Sequence, residues 1–158
     1  MSAMTPIVIL VGSMTGNAEF AAEDMQQILR DEYGRQVELL LMDKPDASIF
    51  APGKVYLIST STYGEGEVPE NALGFYRGLC EGRPDLSGIR YAVFGLGDSN
   101  YRETFNFGGK RFDEILAALG ASRMGERGLH DACSGAAPEE FARDWLHAWF
   151  ASVRATID

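Results

Sequence analysis

Side chains that bind metals are scarce in this sequence. It has two cysteines and two histidines among 158 residues, and Cys80 and Cys133 lie far apart with no CxxC pair and no histidine at ligand spacing. Structural zinc sites are built from cysteine and histidine at short, regular spacing. We therefore expect no metal site and two buried or idle thiols.

Long apolar runs are also missing. The run at residues 7–11, IVILV, has five residues, whereas a membrane-spanning helix needs roughly 18 or more. No basic residue precedes this run, although a signal peptide has a basic segment at that place. We therefore predict that 7–11 is a core strand, that the chain has no membrane segment, and that the protein is cytoplasmic.

Basic residues are outnumbered: 14 lysines and arginines stand against 23 acidic residues, which gives a net charge of −9. A protein this acidic repels the phosphates of nucleic acids. The negative net charge suits a basic protein partner, but an excess of acidic residues is equally common as a means of keeping a protein soluble. The length favours a single domain over residues 1–158.

Short apolar runs alternate with helical patterns along the chain. Strands are predicted at residues 7–11, 37–41, 55–59, 91–94 and, more weakly, 122–128. Several runs are continuously apolar, which is typical of strands buried on both faces of a parallel sheet. Five strand–helix units predict a doubly wound α/β sandwich, in which ligands bind beyond the carboxyl ends of the strands.

Helical periodicity is found between these strands and after the last one. Helices are predicted around residues 21–29, 71–80, 112–119 and from 138 onward. In the last helix the aromatic stripe of Phe141, Trp145 and Trp149 is interpreted as core packing. Gly74 and Gly78 cost the second helix about 1 kcal/mol each, and we attribute them to close packing of this helix on the sheet.

The first predicted strand ends in the loop GSMTGNA, residues 12–18, which contains no lysine or arginine. Backbone N–H groups and the positive end of a helix dipole bind phosphate without a cation. Side chains of Ser13, Thr15 and Asn17 would add donors. A Walker loop needs a lysine and a Rossmann loop needs GxGxxG, and both are absent here. The alternative is an ordinary strand-to-helix turn.

Two further loops place a tyrosine beyond neighbouring strands. In STSTYGEGEVPENA, residues 59–72, Tyr63 precedes the glycines of GEG, and in FGLGDSNYRETFNF, residues 94–107, Tyr101 follows a GLG turn. Exposed aromatic rings at strand ends are natural stacking platforms. Two of them could clamp both faces of a planar ring whose phosphate lies on the first loop.

Four segments of the sequence together resemble those of a known family. They are GSMTGNAE, STYGEGEVPENA, GLGDSNY and FGGKRFDEILAALGA. The chain is similar to short-chain flavodoxins of the MioC type and to the FMN domains of cytochrome P450 reductase and sulfite reductase, from about residue 7 to residue 149. This resemblance implies a flavodoxin-like three-layer sandwich. Its five-stranded parallel sheet has the order 2-1-3-4-5 with helices on both faces, and its cofactor is FMN.

The resemblance also implies which residues hold FMN. The phosphate loop would be Ser13, Met14, Thr15, Gly16, Asn17 and Ala18, with Ala18 in place of a frequent threonine. Tyr63 and Tyr101 would flank the isoalloxazine, and the carbonyl of Gly64 would face N5. The ring and ribityl chain would be lined by Thr60, Ser61, Thr62, Gly66, Leu96, Gly97, Asp98, Phe105 and Asn106, with the acidic Asp131 near the flavin. By the same resemblance, the spacing from Tyr101 to Phe105 would be one residue longer than in many relatives, because Arg102 and Glu103 both intervene.

By the same resemblance the protein would be an electron carrier rather than an enzyme, without catalytic residues or metal. FMN would pass single electrons through quinone, semiquinone and hydroquinone states. We expect the protein to have no FAD or NADPH module of its own, so the donor would be a separate reductase of the flavodoxin/ferredoxin–NADP type, and the acceptor another protein. Both would dock on a monomer near the acidic loops, at Glu65, Glu67, Glu70 and Asp98.

Two alternatives remain. The first is an FMN-dependent NAD(P)H:quinone or nitro reductase, which would need NAD(P)H access beside the flavin. The second is a phosphorylation-controlled receiver domain on the same fold, which would need an acidic pair where Gly12 and Ser13 stand.

Overall fold

The computed structural model describes residues 5–13, 16–62, 67–98 and 105–157. Its strands are β1 (Ile7–Gly12), β2 (Val37–Leu41), β3 (Val55–Thr60), β4 (Arg90–Gly97), β5 (Ser122–Arg123) and β6 (Gly128–Asp131). Its α-helices are α1 (Asn17–Asp31), α2 (Glu70–Gly82), α3 (Phe107–Ala118) and α4 (Pro138–Ile157), and short 3-10 turns cover Ala47–Ile49 and Ala132–Ser134.

The strands form one parallel sheet in the order β2-β1-β3-β4-β5, which confirms the predicted order 2-1-3-4-5. All residues of β1 and β3 are buried, as continuous apolar strands between two helical layers must be. Helices α1 and α4 enclose one core with the sheet, and α2 and α3 enclose the other. The flavodoxin-like sandwich is therefore confirmed.

The prediction of five strands was wrong in one respect. The weak fifth strand is divided into β5, which pairs with the start of β4, and β6, which pairs with its end. Between them Gly125 has a left-handed φ of 77°. The indole N–H groups of Trp145 and Trp149 donate to the carbonyls of Glu126 and Met124. This intervening segment therefore bonds to α4 side chains, and a continuous ladder with β4 is not formed.

The aromatic stripe of α4 is core packing, as predicted. Trp149 is 3% exposed, and Phe141 and Trp145 pack against the same core from its margin.

The explanation for the two glycines of α2 was wrong. Gly74 and Gly78 lie on the exposed outer face of the helix. A Cβ built on either has no atom of the described residues within 4 Å. The helix instead buries Ala72, Phe75 and Leu79 against the sheet, so the two glycines lower helix propensity without allowing a closer approach.

No helix in the described ranges has both the length and the apolar character that crossing a membrane requires.

Candidate functional site

The candidate site lies at the carboxyl edge of the sheet, because parallel strands end on the same side. The ends of β1, β3, β4 and β6 bring four segments together there. Their described parts are residues 12–13 with 16–18, 60–62, 96–98 and 131, and the amino-terminal ends of α1 and α3 face the same edge.

The first segment leads into a helix whose amino terminus has no side-chain cap. Gly16 is the N-cap of α1, with φ 90° and ψ −9°, and no side chain of the described residues makes a capping hydrogen bond at this end. The first intrahelical bond runs from the Phe20 N–H to the Gly16 carbonyl at 2.8 Å. The N–H groups of Asn17, Ala18 and Glu19 therefore point out of the helix end, where the dipole is positive and favours an anion.

Ser13 is held from both sides. Its hydroxyl oxygen accepts a hydrogen bond from the Gly16 N–H at 2.8 Å, and its own N–H donates to the side-chain oxygen of Asn71 at 2.9 Å. The Ser13 hydroxyl can also donate a hydrogen bond, which a phosphate oxygen could accept. The methyl group of Ala18 is buried in the core, so this residue offers the site only its backbone.

The end of β3 lies beside this loop. Thr60 is fully buried and its hydroxyl donates to the Ser61 carbonyl at 3.1 Å, while the Ser61 N–H donates to the Gly12 carbonyl at 2.9 Å. A Cβ on Gly12 would come within 2.8 Å of the Thr60 hydroxyl oxygen. The side chain of Thr60 is thus packed beneath the loop, and Ser61 is half-buried at its edge.

Thr62 joins three elements at the edge. Its hydroxyl donates to the Leu96 carbonyl and accepts from the Gly108 N–H, both at 3.0 Å. A Cβ on Gly108 would lie 2.2 Å from the Ser61 carbonyl oxygen, so only glycine allows α3 to begin this close to the β3 loop. The Thr62 hydroxyl therefore fixes the spacing between β3, β4 and α3.

Asn106 closes the far side of the β4 end. It is 2% exposed, has φ 57°, and its amide nitrogen donates to the His130 carbonyl at 3.1 Å. Its amide oxygen has no partner among the described residues. Cβ atoms on Gly95 and Gly97 would come within 2.6 Å and 2.7 Å of Asn106 atoms. The two glycines of the GLG turn thus make room for Asn106. Phe105, next to it, is half-buried.

Asp98 and Asp131 meet across the ends of β4 and β6. Asp131 is paired with Gly97 in the ladder between β4 and β6, so it lies beside Asp98. Its carboxylate accepts a hydrogen bond from the Cys133 N–H at 2.9 Å. The exposed Cys133 thiol donates to the Asp98 carboxylate at 3.1 Å. Cys133 is therefore neither buried nor idle, and it joins two of the predicted site residues.

Six predicted site residues lie outside the described ranges: Met14, Thr15, Tyr63, Gly64, Gly66 and Tyr101. Their predicted roles, including the aromatic clamp, stay predictions. The predicted docking residue Glu65 also lies outside these ranges.

Known proteins that are similar to this chain show its family. A family model described as Flavodoxin matches residues 9–145. The chain belongs to the flavodoxin family.

The chain is similar to two short bacterial proteins and to part of a larger flavoprotein. Flavodoxin YqcA of Escherichia coli is 34% identical over 92% of this chain and 97% of its own length. Protein MioC of Escherichia coli is 33% identical, with 92% and 97% covered. The sulfite reductase [NADPH] flavoprotein alpha-component of Sodalis glossinidius is 40% identical over 80% of this chain and 21% of its own.

A solved structure repeats the flavodoxin fold. A point mutant of flavodoxin from Pseudomonas aeruginosa superposes with a TM-score of 0.82 and 32% identity, covering 94% of this chain and 99% of that one. The family resemblance derived from the sequence is therefore confirmed.

FMN is the cofactor of this family, and the described residues fit its phosphate. The uncapped end of α1 and the glycine at position 16 form a cradle of backbone N–H groups, with a cationic side chain at none of the described positions 12–13 and 16–19. Dipolar donors of this kind bind a phosphate dianion without an ion pair.

Sequence reasoning missed three contributors to this flavodoxin site. Asn71 was noted only as part of a motif, although an amide at the start of a helix beside the loop is a usable signal. The GLG turn was noted in the sequence only as the stretch before Tyr101, and its role as space for Asn106 was not predicted. Cys133 stands two residues after the end of β6, so its position near the carboxyl edge of the sheet could have been expected.

Proposed function

We propose that this member of the flavodoxin family is a one-electron carrier. It would accept electrons from a separate reductase of the flavodoxin/ferredoxin–NADP type and pass them singly to an acceptor protein. The observation that supports this most is the cation-free cradle at the amino end of α1, fixed beside the ends of β3 and β4. The whole chain of 158 residues would act as one FMN-binding domain and as a monomer.

When bound, FMN supplies the redox chemistry, and the chain supplies its position and its electrostatic surroundings. The first-turn N–H groups of α1 and the Ser13 hydroxyl would hold the phosphate. The Thr62 hydroxyl would keep the β3 and β4 loops at a fixed separation on either side of the ring. In this proposal Tyr63 and Tyr101 cover its two faces.

The acidic groups at the edge would set the potential. Asp98 and Asp131 are held together by Cys133 at the ends of β4 and β6. Negative charge there disfavours further negative charge on a bound ligand. We therefore expect a low potential for the addition of the second electron.

The same edge would recruit the partners. Glu67 and Glu70 are exposed at the start of α2, and Asp98 lies on the neighbouring loop. Acidic residues around a redox centre attract a basic partner and speed its encounter. Electron transfer from a reductase should therefore slow as salt is added, because the Debye length shrinks. Photoreduction by a small neutral donor is the control and should not depend on salt.

Anaerobic reduction of the purified protein tests the carrier function. In stepwise photoreduction, we expect the spectrum of a one-electron-reduced flavin to build up and then disappear. NADPH alone should leave the bound FMN oxidised, and NADPH with a catalytic amount of the reductase should reduce it. Steady NADPH oxidation by the protein alone would instead support the quinone or nitro reductase.

A further inference from the structure

The phosphate loop is attached to a helix that follows a different strand. The side-chain oxygen of Asn71, at the second position of α2, accepts the Ser13 N–H at 2.9 Å across 58 residues of sequence. Asn71 is half-buried at this contact. The start of α2 thus reaches the first residue after β1, at the base of the cradle.

Close packing fixes this approach. A Cβ on Gly12 would lie 3.1 Å from the Ala72 methyl group and 2.8 Å from the Thr60 hydroxyl oxygen. The Gly12 carbonyl is bonded to the Ser61 N–H at 2.9 Å. The end of β1 is therefore confined between β3 and the first turn of α2, and Asn71, next to Ala72, contacts the beginning of the loop at Ser13.

The Asn71 contact determines how the loop presents its donors. It holds the Ser13 N–H toward α2, while the Ser13 hydroxyl oxygen takes the Gly16 N–H. These two N–H groups are satisfied within the protein, so among the described residues of the loop the outward donors are those of the first turn of α1. A loop that is already ordered loses less conformational entropy when its ligand binds.

We propose that Asn71 is a positioning residue for the phosphate group, and that it sets the preference of this protein for FMN over riboflavin. The proposal rests on the FMN-binding function above and concerns only the phosphate end of the ligand. The acceptor must be uncharged, because a carboxylate at position 71 would make the same hydrogen bond but would repel a phosphate nearby.

Two substitutions separate the hydrogen bond from the charge. Asn71→Ala removes the acceptor, whereas Asn71→Asp keeps it and adds a negative charge. Gly74→Ala is the matched control on the same helix, since that position is exposed and contacts no described atom within 4 Å. Each full-length variant, freed of flavin, is titrated with FMN and separately with riboflavin, and binding is followed by quenching of flavin fluorescence.

We expect Asn71→Ala to weaken FMN binding about tenfold, the effect of one lost hydrogen bond that leaves a donor unpaired, with riboflavin binding changed less than about twofold. Asn71→Asp should weaken FMN binding at low salt and recover as salt screens the repulsion, again with riboflavin unchanged. Gly74→Ala should bind both flavins as the wild type does. The phosphorus NMR resonance of bound FMN should move in the Asn71 variants only.

Equal weakening of FMN and riboflavin in Asn71→Ala would overturn the proposal, because it would reveal a general structural role. Unchanged FMN binding in both Asn71 variants would overturn it as well. If Asn71→Ala does not fold, the salt-dependent loss in Asn71→Asp decides the question alone. A wild-type protein that binds neither flavin would refute the proposed function itself, a result distinct from any confined to the variants.

Discussion

The contact between Gly108 and the β3 loop gives a quantitative test of the site architecture. In Gly108→Ala the new methyl carbon would lie 2.2 Å from the Ser61 carbonyl oxygen, roughly 1 Å inside ordinary van der Waals contact. Backbone atoms on both sides prevent a simple side-chain rotation from relieving the clash. The start of α3 must therefore move away from β3.

The magnitude follows from what this movement breaks. The hydrogen bonds from Gly108 to Thr62 and from Thr62 to Leu96 are each 3.0 Å long and are worth about 1 kcal/mol each. Overpacking adds about 1–3 kcal/mol, and the better helix propensity of alanine returns about 1 kcal/mol. We expect the free energy of unfolding to fall by about 3 kcal/mol and the melting temperature by roughly 10 °C.

The assay is urea denaturation of the flavin-free protein, because bound ligand would itself add to stability. Gly74→Ala is the control: the same substitution on an exposed helical face should raise the free energy of unfolding by up to about 1 kcal/mol. FMN binding is measured in parallel and should weaken in Gly108→Ala only. A Gly108→Ala protein as stable as the wild type would refute the close approach of α3 to the β3 loop.

Three further outcomes are expected from single substitutions. Burial, and then the hydrogen bond to Asp113, raise the pKa of Tyr91 above its ordinary value, so the phenol stays protonated in the folded state. The free energy of unfolding should therefore be constant below about pH 10 and fall above it. In urea denaturation at increasing pH, Tyr91→Phe should show a smaller fall, and an identical fall would contradict this. Asp131→Asn should raise the second reduction potential of the bound FMN by a few tens of millivolts, on the order of 1 kcal/mol; an unchanged potential at low salt would exclude the electrostatic explanation. Gly125→Ala should lower the free energy of unfolding by about 1–2 kcal/mol, since φ is 77° and the new methyl carbon would lie 2.9 Å from the Trp149 ring; chemical denaturation followed by tryptophan fluorescence measures the loss, and wild-type stability would argue against the strained turn.

Much of the fold could be predicted because its signals are local. The run at residues 7–11 is continuously apolar, and β1 is correspondingly buried along its whole length. The break between β5 and β6 left no such signal, because it depends on indole groups of α4 that bond to carbonyls about 20 residues earlier in the chain.

In the candidate site, too, local features could be predicted from the sequence and contacts between distant residues could not. The loop around Gly16 follows from a strand, two glycines and a helix start, all adjacent in sequence. The partner of Ser13 could not be derived in that way, since Asn71 reaches it only because β1 and β3 are neighbours in the sheet and α2 follows β3. The glycines of α2 were misjudged because helical spacing gives the relative orientation of residues along a helix, and the orientation toward the core depends on Ala72, Phe75 and Leu79.

The division between β5 and β6 also bears on the resistance of this protein to aggregation. An exposed sheet edge invites an unrelated strand to pair with it, which leads to aggregation. Here the β4 side of the sheet ends in a strand of two residues and a strand of four. The segment between them is bonded to the indoles of α4. An incoming strand would find no long ladder to extend, so the shortness of these two strands protects this margin of the sheet.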